Sequence, residues 1–239
     1  MKKKILIILF LFISLSLQSI DFPELKGRVN DYAGILDPTE ENNLELLLRD
    51  LENKTSAQVV LLTIKSLEGN TIEDYSIRLT EQKDWKIGQK GLDNGVILLI
   101  SMAERKLRIE VGYGLEPSLT DLKSSYIIRN LIVPKFKEGD YYEGILRGIA
   151  QISGIITKES DISREDLKQF TKKKKKSIPW PFIIFIIVFF ILPMFSKNKG
   201  GGGSIFWGGG FGGGSSGGGF GGFSGGGGSF GGGGSSGGW

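Results

Sequence analysis

The chain has 239 residues, a formal net charge of +4, and neither cysteine nor histidine. The missing thiol and imidazole groups exclude disulfides, zinc sites of the usual kind, and Cys-His or Ser-His-Asp nucleophilic catalysis. Any chemistry must therefore depend on carboxylates, hydroxyls, lysine and arginine.

The first segment of the chain has the pattern of a signal peptide. Three lysines, Lys2 to Lys4, precede an apolar run from Ile5 to Leu17. A basic stretch followed by an apolar run of this length is typical of a secretory signal and is short for a stable membrane span. Export of the following residues is therefore predicted, with an uncleaved membrane anchor as the alternative.

The following region shows the patterns of a folded domain, beginning with a helix and a buried strand. Asp37, Pro38 and Glu40 predict a helix start, because they combine an N-cap, a first-turn proline and a capping-box acid. The continuous apolar stretch Gln58–Ile64 predicts a strand that is covered on both faces. A second helix is expected to begin after Thr71.

Two further strands are predicted to form an antiparallel hairpin. The stretches Gly95–Ser101 and Lys106–Val111 both have strand patterns, and only a short turn separates them. In the predicted register two pairs of residues face each other, Ile100 with Leu107 and Val96 with Val111.

The last part of the domain is predicted to be helical. Ser118 or Thr120 is expected to cap a helix that ends before Pro134, and Asp140 with Glu143 opens another helix. Buried strands that alternate with helices predict an α/β fold, a helix-sheet-helix sandwich with a mixed β-sheet.

Acidic residues are predicted to gather at one edge of this sheet. The hairpin register brings Asp93 beside Gly112 and Gly114, close to Glu110 and Asp121. Two carboxylates about 4 Å apart repel by about 4 kcal/mol at an effective dielectric constant of 20, and a bound cation removes that penalty. A site made of oxygen ligands favours calcium, or magnesium when water molecules complete the coordination.

Each of these acids also has an interpretation that needs no ion. Asp93 fits a turn ahead of a strand, and Asp121 lies in a first helical turn, where an anion is favourable. Glu110 fits a solvated, outward position with Arg108 or Arg105 as its ion-pair partner. Asp31 can accept hydrogen bonds from its own loop backbone.

An uncharged apolar run of 18 residues, 178–195, follows the domain. At 1.5 Å per residue a helix of this length covers about 27 Å, close to the hydrocarbon thickness of a bilayer, so a transmembrane helix is predicted. A helical, basic linker, 161–177, precedes it. The lysine distribution would place the domain in the cytoplasm, but the signal peptide favours an extracytoplasmic domain and a cytoplasmic tail.

The tail is composed almost entirely of glycine, serine and aromatic residues. Residues 200–239 include 25 glycines, and such a segment cannot bury enough apolar surface to offset the cost of ordering its backbone. It is therefore predicted to be disordered. The predicted organisation has five parts: signal peptide 1–19, α/β domain 20–160, linker 161–177, transmembrane helix 178–195 and disordered tail 196–239.

The charge of the folded region argues against a nucleic-acid partner. Residues 21–160 hold 18 Lys and Arg against 23 Asp and Glu, a net charge of −5. A domain that binds phosphate backbones is expected to be basic. The predicted partners are instead the membrane and membrane protein complexes.

Four stretches of this domain resemble the TPM domain family, an exported or membrane-tethered module of bacteria and plant thylakoids. They are "VNDYAGIL" (29–36), "DNGVILLI" (93–100), "RIEVGYGLEPSLTD" (108–121) and "IVPKFKEGDYYEGI" (132–145). The resemblance implies the sandwich fold, an acidic pocket that binds calcium in some members, and the acid-phosphatase activity attributed to plant members. The predicted metal ligands are Asp31, Asp93, Glu110 and Asp121.

Two functions follow as hypotheses. The first is a non-enzymatic, membrane-tethered module that binds a divalent cation outside the cytoplasm and assists the assembly or maintenance of membrane protein complexes. The alternative is a metal-dependent acid phosphatase, in which Asp31 or Asp93 acts as base or nucleophile and Arg129 or Arg108 neutralises the developing charge. The acidic surroundings and the missing DxD motif count against the hydrolase. A third, weaker hypothesis is self-association through the aromatic residues of the tail.

Overall fold

The structure is a computed structural model, and it describes residues 21–159, Phe223 and residues 225–239. The predicted signal peptide, basic linker and transmembrane helix lie outside these residues. Within the described ranges, no helix is both long enough and apolar enough to cross a bilayer.

Five strands form one mixed sheet in the order β1-β2-β3-β4-β5. Their bounds are Val29–Asp31 (β1), Gln58–Ile64 (β2), Gly95–Ser101 (β3), Lys106–Gly112 (β4) and Phe230–Gly238 (β5). β1, β2 and β3 are parallel, whereas β4 is antiparallel to both of its neighbours. The predicted hairpin register is confirmed, with Ile100 opposite Leu107 and Val96 opposite Val111.

Helices cover both faces of this sheet. Their bounds are Pro38–Thr55 (α1), Ile72–Glu81 (α2), Asp121–Tyr126 (α3), Val133–Glu138 (α4) and Tyr141–Thr157 (α5), with a 3₁₀ turn at Lys83–Trp85 and a π-helical segment at Ile127–Ile132. The π segment joins α3 to α4 without a break. Counted as one unit, α3, the π segment and α4 form a single helical segment beside α1, α2 and α5. The described residues therefore form an α/β domain with a five-stranded mixed sheet and four helical segments, in agreement with the predicted class.

Side-chain caps define where the helices begin. The carboxylate of Asp37 accepts hydrogen bonds from the backbone N–H groups of Thr39 and Glu40. The carboxylate of Glu40 accepts one from the backbone N–H of Asp37, which completes the predicted capping box. The hydroxyls of Thr71 and Thr120 cap α2 and α3. These local signals were readable because each depends on residues within three positions of one another.

The prediction that a helix ends before Pro134 is wrong. The helix continues through this proline to Glu138 and ends at Gly139, which has the left-handed conformation typical of a helix C-terminus. A proline inside an α-helix normally clashes with the carbonyl four residues earlier. Here the backbone widens into the π segment, and the N–H of Val133 donates to the carbonyl of Ile128, five residues back.

Alternate residues of the central strands fill two separate cores. On β3, Val96 and Leu98 pack in the core that lies against α1 and α5. Ile97 and Leu99, which point the opposite way, pack in the core under α2 and Trp85. The sheet is therefore covered on both faces, which explains why its central strands are continuously apolar.

The prediction of a disordered tail is wrong for residues 230–238, which form the nine-residue strand β5. This strand pairs with β4 from Gly238 opposite Lys106 to Phe230 opposite Gly112. An isolated chain of this composition has too little apolar surface to bury, and disorder was expected for that reason. The exposed edge of β4 instead supplies a row of backbone partners, so that glycine residues are ordered through hydrogen bonds rather than through side chains.

Candidate functional site

The candidate site is the edge of the sheet at which β5 is bound. We call β4, the following residues 113–121 and the side chain of Ile128 the acceptor edge. Phe223 and residues 225–239 are called the glycine-rich segment. Hydrogen bonds join the two along the whole of β4, with one irregularity between Val111 and Gly112.

Four glycines of β5 lie too close to the acceptor edge to carry a side chain. An added Cβ would overlap Tyr113 at Gly231, the Glu116 carboxylate at Gly233, the Ile109 carbonyl at Gly234 and the Ile128 side chain at Gly237. Gly234 also has a φ angle of +117°, which side-chain-bearing residues rarely adopt. The acceptor edge therefore selects glycine most strictly at Gly234, where the obstacle is backbone; at the other three positions a side chain of the acceptor edge would have to move.

A buried ion pair on β4 is aimed at the bound strand. Arg108 is 6% exposed and Glu110 is fully buried, and the Nε of Arg108 donates to Glu110 at 2.5 Å. The hydroxyl of Ser76, on α2, donates to the same carboxylate oxygen at 2.8 Å. The remaining nitrogens of the guanidinium donate to the Ser236 hydroxyl at 3.1 Å and to the Gly232 carbonyl at 3.0 Å. Glu110 thus orients Arg108, and Arg108 binds β5.

Two of the predicted metal ligands accept hydrogen bonds from the glycine-rich segment. The carboxylate of Asp93 accepts from the backbone N–H of Ser229 at 2.9 Å, and that of Asp121 accepts from the N–H of Gly234 at 2.7 Å. Backbone N–H groups are thus hydrogen-bond partners of these carboxylates. Neither interaction was expected from the sequence.

Asp31 lies far from the acceptor edge. It ends β1, whereas Asp93 comes before the opposite end of β3, two strands away. β3 contains seven residues, so at about 3.3 Å per residue the two acids are about 20 Å apart along the strands. The Asp31 carboxylate accepts hydrogen bonds from three groups, the N–H of Gly34, the N–H of Leu36 and the hydroxyl of Thr63. This matches the loop interpretation of Asp31.

Glu110 and Asp121 lie on opposite faces of the sheet. Glu110 bonds to Ser76 of α2, while Asp121 begins α3, which packs on the other face. Across the described ranges, no three or more acidic side chains are grouped so that they could hold a metal ion. The structure therefore brings Asp93 and Asp121 into hydrogen bonds with the glycine-rich segment and places Asp31 at the far end of the sheet. Glu110 is part of the acceptor edge, but its carboxylate is fully buried with Arg108 and Ser76 rather than at the surface.

Gly112 and Gly114 allow close backbone packing beside the acceptor edge. A Cβ at either position would overlap a backbone carbonyl, that of Asp93 at Gly112 and that of Leu92 at Gly114. These glycines let the loop before β3 pack directly on the end of β4. The N–H of Gly114 donates to the carbonyl of Asp93 at 3.0 Å, which fixes that loop beside the acceptor edge.

Aromatic residues anchor the glycine-rich segment at both ends. The ring of Trp239 lies edge-on to Phe136 and Tyr141, with ring centroids 4.8 and 6.3 Å away. Phe230 packs into the core under α2, and the guanidinium of Arg28 lies over the ring of Phe223 at 4.6 Å. The segment is therefore bound by apolar contacts as well as by its backbone.

Glu73 on α2 adds a titratable contact to β5. Partial burial raises the pKa of Glu73, but the hydrogen bond with Ser236 and the positive charges of Arg108 and Lys106 leave that pKa below its ordinary value of 4.5. Glu73 is therefore stabilised in its ionised form while β5 is bound.

Sequence reasoning missed the whole of this interaction. Ser76 and Ile128 lie in none of the four motif stretches, Glu116 lies in one of them but was given no role, and Arg108 was considered only as an ion-pair partner or a phosphate ligand. The available signal was in the tail itself, where Phe230 and Trp239 enclose eight glycine and serine residues. An aromatic residue at each end of a stretch as long as a strand indicates that both ends are anchored.

Comparison with known families identifies the domain that carries this site. A family model described as the TPM domain matches residues 29–155, more than half of the chain. The chain belongs to the TPM domain family. The match runs from β1 to α5 and does not include β5, so the glycine-rich segment lies outside the part of the chain that defines the TPM domain.

Solved structures include domains similar to this TPM domain. The N-terminal domain of a P. gingivalis protein, solved by solution NMR, is 29% identical with a TM-score of 0.52, covering 56% of this chain and 84% of that one. The BA42 protein of the psychrophilic bacterium Bizionia argentinensis is 21% identical, with a TM-score of 0.45 and coverage of 55% and 88%. The N-terminal domain of the cg2496 protein of Corynebacterium glutamicum is 17% identical, with a TM-score of 0.44 and coverage of 62% and 93%. No curated protein matches the chain.

Proposed function

We propose that this TPM protein is a non-enzymatic binding module, tethered to the membrane outside the cytoplasm, whose acceptor edge takes up an extended, glycine-rich strand. The observation that carries this proposal is the pairing of β4 with β5 along its whole length. By adding strands to its sheet, such a module would assist the assembly or maintenance of membrane protein complexes.

Some contacts at the acceptor edge contribute affinity for the bound strand, and others contribute selectivity. Strand addition derives affinity from main-chain hydrogen bonds and selectivity from the side chains that border the strand. Here the carbonyl of Ile109 excludes a side chain at Gly234, while Arg108 contacts a serine hydroxyl. This combination supports a binding site for a defined peptide chemistry.

The same contacts favour the module over the phosphatase alternative. The hydrolase hypothesis uses Arg129 or Arg108 to neutralise a phosphate, and the guanidinium of Arg108 is buried against Glu110 and bound to β5. The candidate bases are also engaged, Asp31 by its own loop and Asp93 by the N–H of Ser229. Three of the four side chains proposed for phosphoryl transfer thus make structural contacts.

Calcium or magnesium binding stays a prediction, with Asp93 and Asp121 as the acids that lie beside one strand. Thermal melting in chelator and in millimolar calcium or magnesium tests it. A bound ion at a hundredfold excess over its Kd is expected to add about 2.7 kcal/mol of stability. Asp93→Asn should abolish that gain, and an equal melting temperature in chelator and in both ions would contradict the prediction.

Binding of a synthetic peptide tests the proposed function. The chain lacking only residues 223–239 is purified in detergent, and a fluorescent peptide of residues 223–239 is titrated against it. We expect saturable binding, because deletion leaves the acceptor edge unpaired. A matched peptide with Gly234 changed to alanine should bind at least about tenfold more weakly, because the added Cβ overlaps the backbone carbonyl of Ile109 at a φ angle that alanine rarely adopts.

Two outcomes of this titration would overturn the proposal. Equal binding of the two peptides would mean that the acceptor edge does not select glycine. Undetectable binding of the natural peptide, to a protein whose circular dichroism shows a folded domain, would mean that the edge does not take up a free strand.

A further inference from the structure

The acceptor edge distinguishes β5 from a near-repeat in the same tail. Residues 211–220 and 230–239 both contain ten residues, with an aromatic residue at each end and a Ser-Ser pair between glycines. When the aromatic ends are aligned, Ser215 takes the place of Gly234, and Gly217 takes the place of Ser236. The first change puts a Cβ against the Ile109 carbonyl, and the second removes the hydroxyl that binds Arg108.

Alignment on the serine pairs fails as well. Phe211 then takes the place of Gly231, where even a Cβ would overlap the ring of Tyr113. The acceptor edge therefore fits residues 230–239 in a single register and excludes both alignments of their near-repeat.

The connection between domain and strand does not restrict the strand to its own domain. Outside the apolar run 178–195, the connection contains 18 residues (160–177) and 27 residues (196–222), which reach up to about 60 Å and about 90 Å at about 3.3 Å per residue. A long connection raises the local concentration of the strand at its own domain only to the order of millimolar. Neighbouring molecules on one membrane surface can approach that concentration, and they offer the same contacts.

We propose that the acceptor edge is a homotypic docking site, which takes residues 230–239 of a second copy of this chain in place of its own β5. This inference rests on the proposed function, because it requires that the edge take up a separate strand. Each molecule carries one acceptor edge and one strand. Exchange therefore links two copies reciprocally or many copies in series.

Single cysteines at one register pair test the exchange, since the natural chain has no cysteine. Lys106 and Gly238 lie opposite each other in the β4–β5 pair. Chains carrying K106C are mixed with chains carrying G238C, incubated, and oxidised. We expect a disulfide-linked heterodimer. The matched donor G234V/G238C should give at least about tenfold less heterodimer, because the valine cannot adopt the Gly234 conformation.

The double variant K106C/G238C in a single chain is the control that separates the possible failures. If this chain forms its internal disulfide but the mixture gives no heterodimer, exchange is overturned while the acceptor edge stands as a strand-binding site. If neither disulfide forms and the peptide does not bind, both proposals fail. Equal heterodimer yields from the G234V donor and its parent would also overturn the exchange, since the link would not depend on docking.

Discussion

Arg108 makes hydrogen bonds both within the domain and to the bound strand β5. A buried guanidinium has lost its hydration, so its donors require acceptors within the protein. Glu110 supplies one, and β5 supplies two, the Ser236 hydroxyl and the Gly232 carbonyl. Departure of β5 therefore removes two acceptors of Arg108, and water must replace them.

Gly234 gives the sharpest residue-level prediction. Gly234→Ala should lower the free energy of unfolding of the β5 region by about 2 to 3 kcal/mol, because the added Cβ overlaps the Ile109 carbonyl at an unfavourable φ angle. Ser235→Ala is the matched control, since that neighbour already carries a Cβ, and it should change little. Hydrogen exchange of the β5 amides measures both. Equal protection in the two variants would contradict the steric account.

Glu73 makes binding of β5 depend on pH. Its pKa is lower when β5 is bound than when the Ser236 contact is lost, so its contribution is present above about pH 4.5 and disappears as the pH falls through the lowered pKa. With residues 223–239 deleted, the chain that keeps Glu73 should therefore bind the 223–239 peptide about threefold more tightly than the Glu73→Gln variant at pH 7, a modest effect because the side chain is mostly exposed. Titrations of both deleted chains between pH 3 and 7 should converge in acid. A difference that persists at pH 3 would assign the effect to shape rather than charge.

At the scale of elements, β5 is an unusual strand because glycine disfavours the strand conformation. Each interior glycine costs about 0.5 to 1 kcal/mol relative to alanine. The backbone ladder with β4 and the anchors Phe230 and Trp239 offset that cost. The stability of β5 therefore comes from its contacts with the domain. For this reason the sequence of the tail alone does not predict a strand.

Trp239 should carry much of that anchoring. Trp239→Ala is expected to weaken docking of β5 by about 2 to 3 kcal/mol, since it removes the edge-on contacts with Phe136 and Tyr141. Trp239→Phe keeps an aromatic ring and should lose about half as much or less. Limited proteolysis of the tail provides the measurement. Identical cleavage rates for the alanine variant and the natural chain would show that the ladder alone holds the strand.

The elements that sequence reasoning recovered are those whose signals are local. The capping box of α1 and the β3–β4 register depend on a few neighbouring residues, and both were predicted correctly. The passage of a helix through Pro134 depends on a backbone adjustment that the residue types do not reveal. The candidate site was harder still, because Asp93 and Asp121 bind backbone groups more than 110 positions away in the chain. Glycine leaves no side-chain pattern that would indicate such a contact.

At the scale of the whole molecule, the β4–β5 pair constrains how the chain lies relative to a membrane. β4 and β5 flank the apolar run 178–195, and a single crossing of that run would put them on opposite sides. A molecule in which β5 is bound has both on one side. The pairing and the predicted cytoplasmic tail exclude each other in the same molecule.

Cysteine labelling decides between these arrangements. Arg49→Cys reports on the exposed surface of α1, and Ser229→Cys reports on an exposed position directly before β5. With a membrane-impermeant maleimide on intact cells, we expect the two positions to be labelled to the same extent. Labelling after solubilisation serves as the reference for each. Labelling of Arg49→Cys alone would support the single crossing and would contradict bound β5 in the membrane-inserted chain.

The position of β5 in the chain also orders its biosynthesis. After Gly112 completes β4, the ribosome must add 117 residues before it reaches Phe230. At about 5 to 20 residues per second, β4 has no β5 to pair with for about 6 to 24 s in every newly made molecule. During that interval the edge of β4 is unpaired and accessible to chaperones, to the translocation machinery and to complete molecules nearby. A strand from another chain can therefore bind most easily before synthesis of the protein is complete.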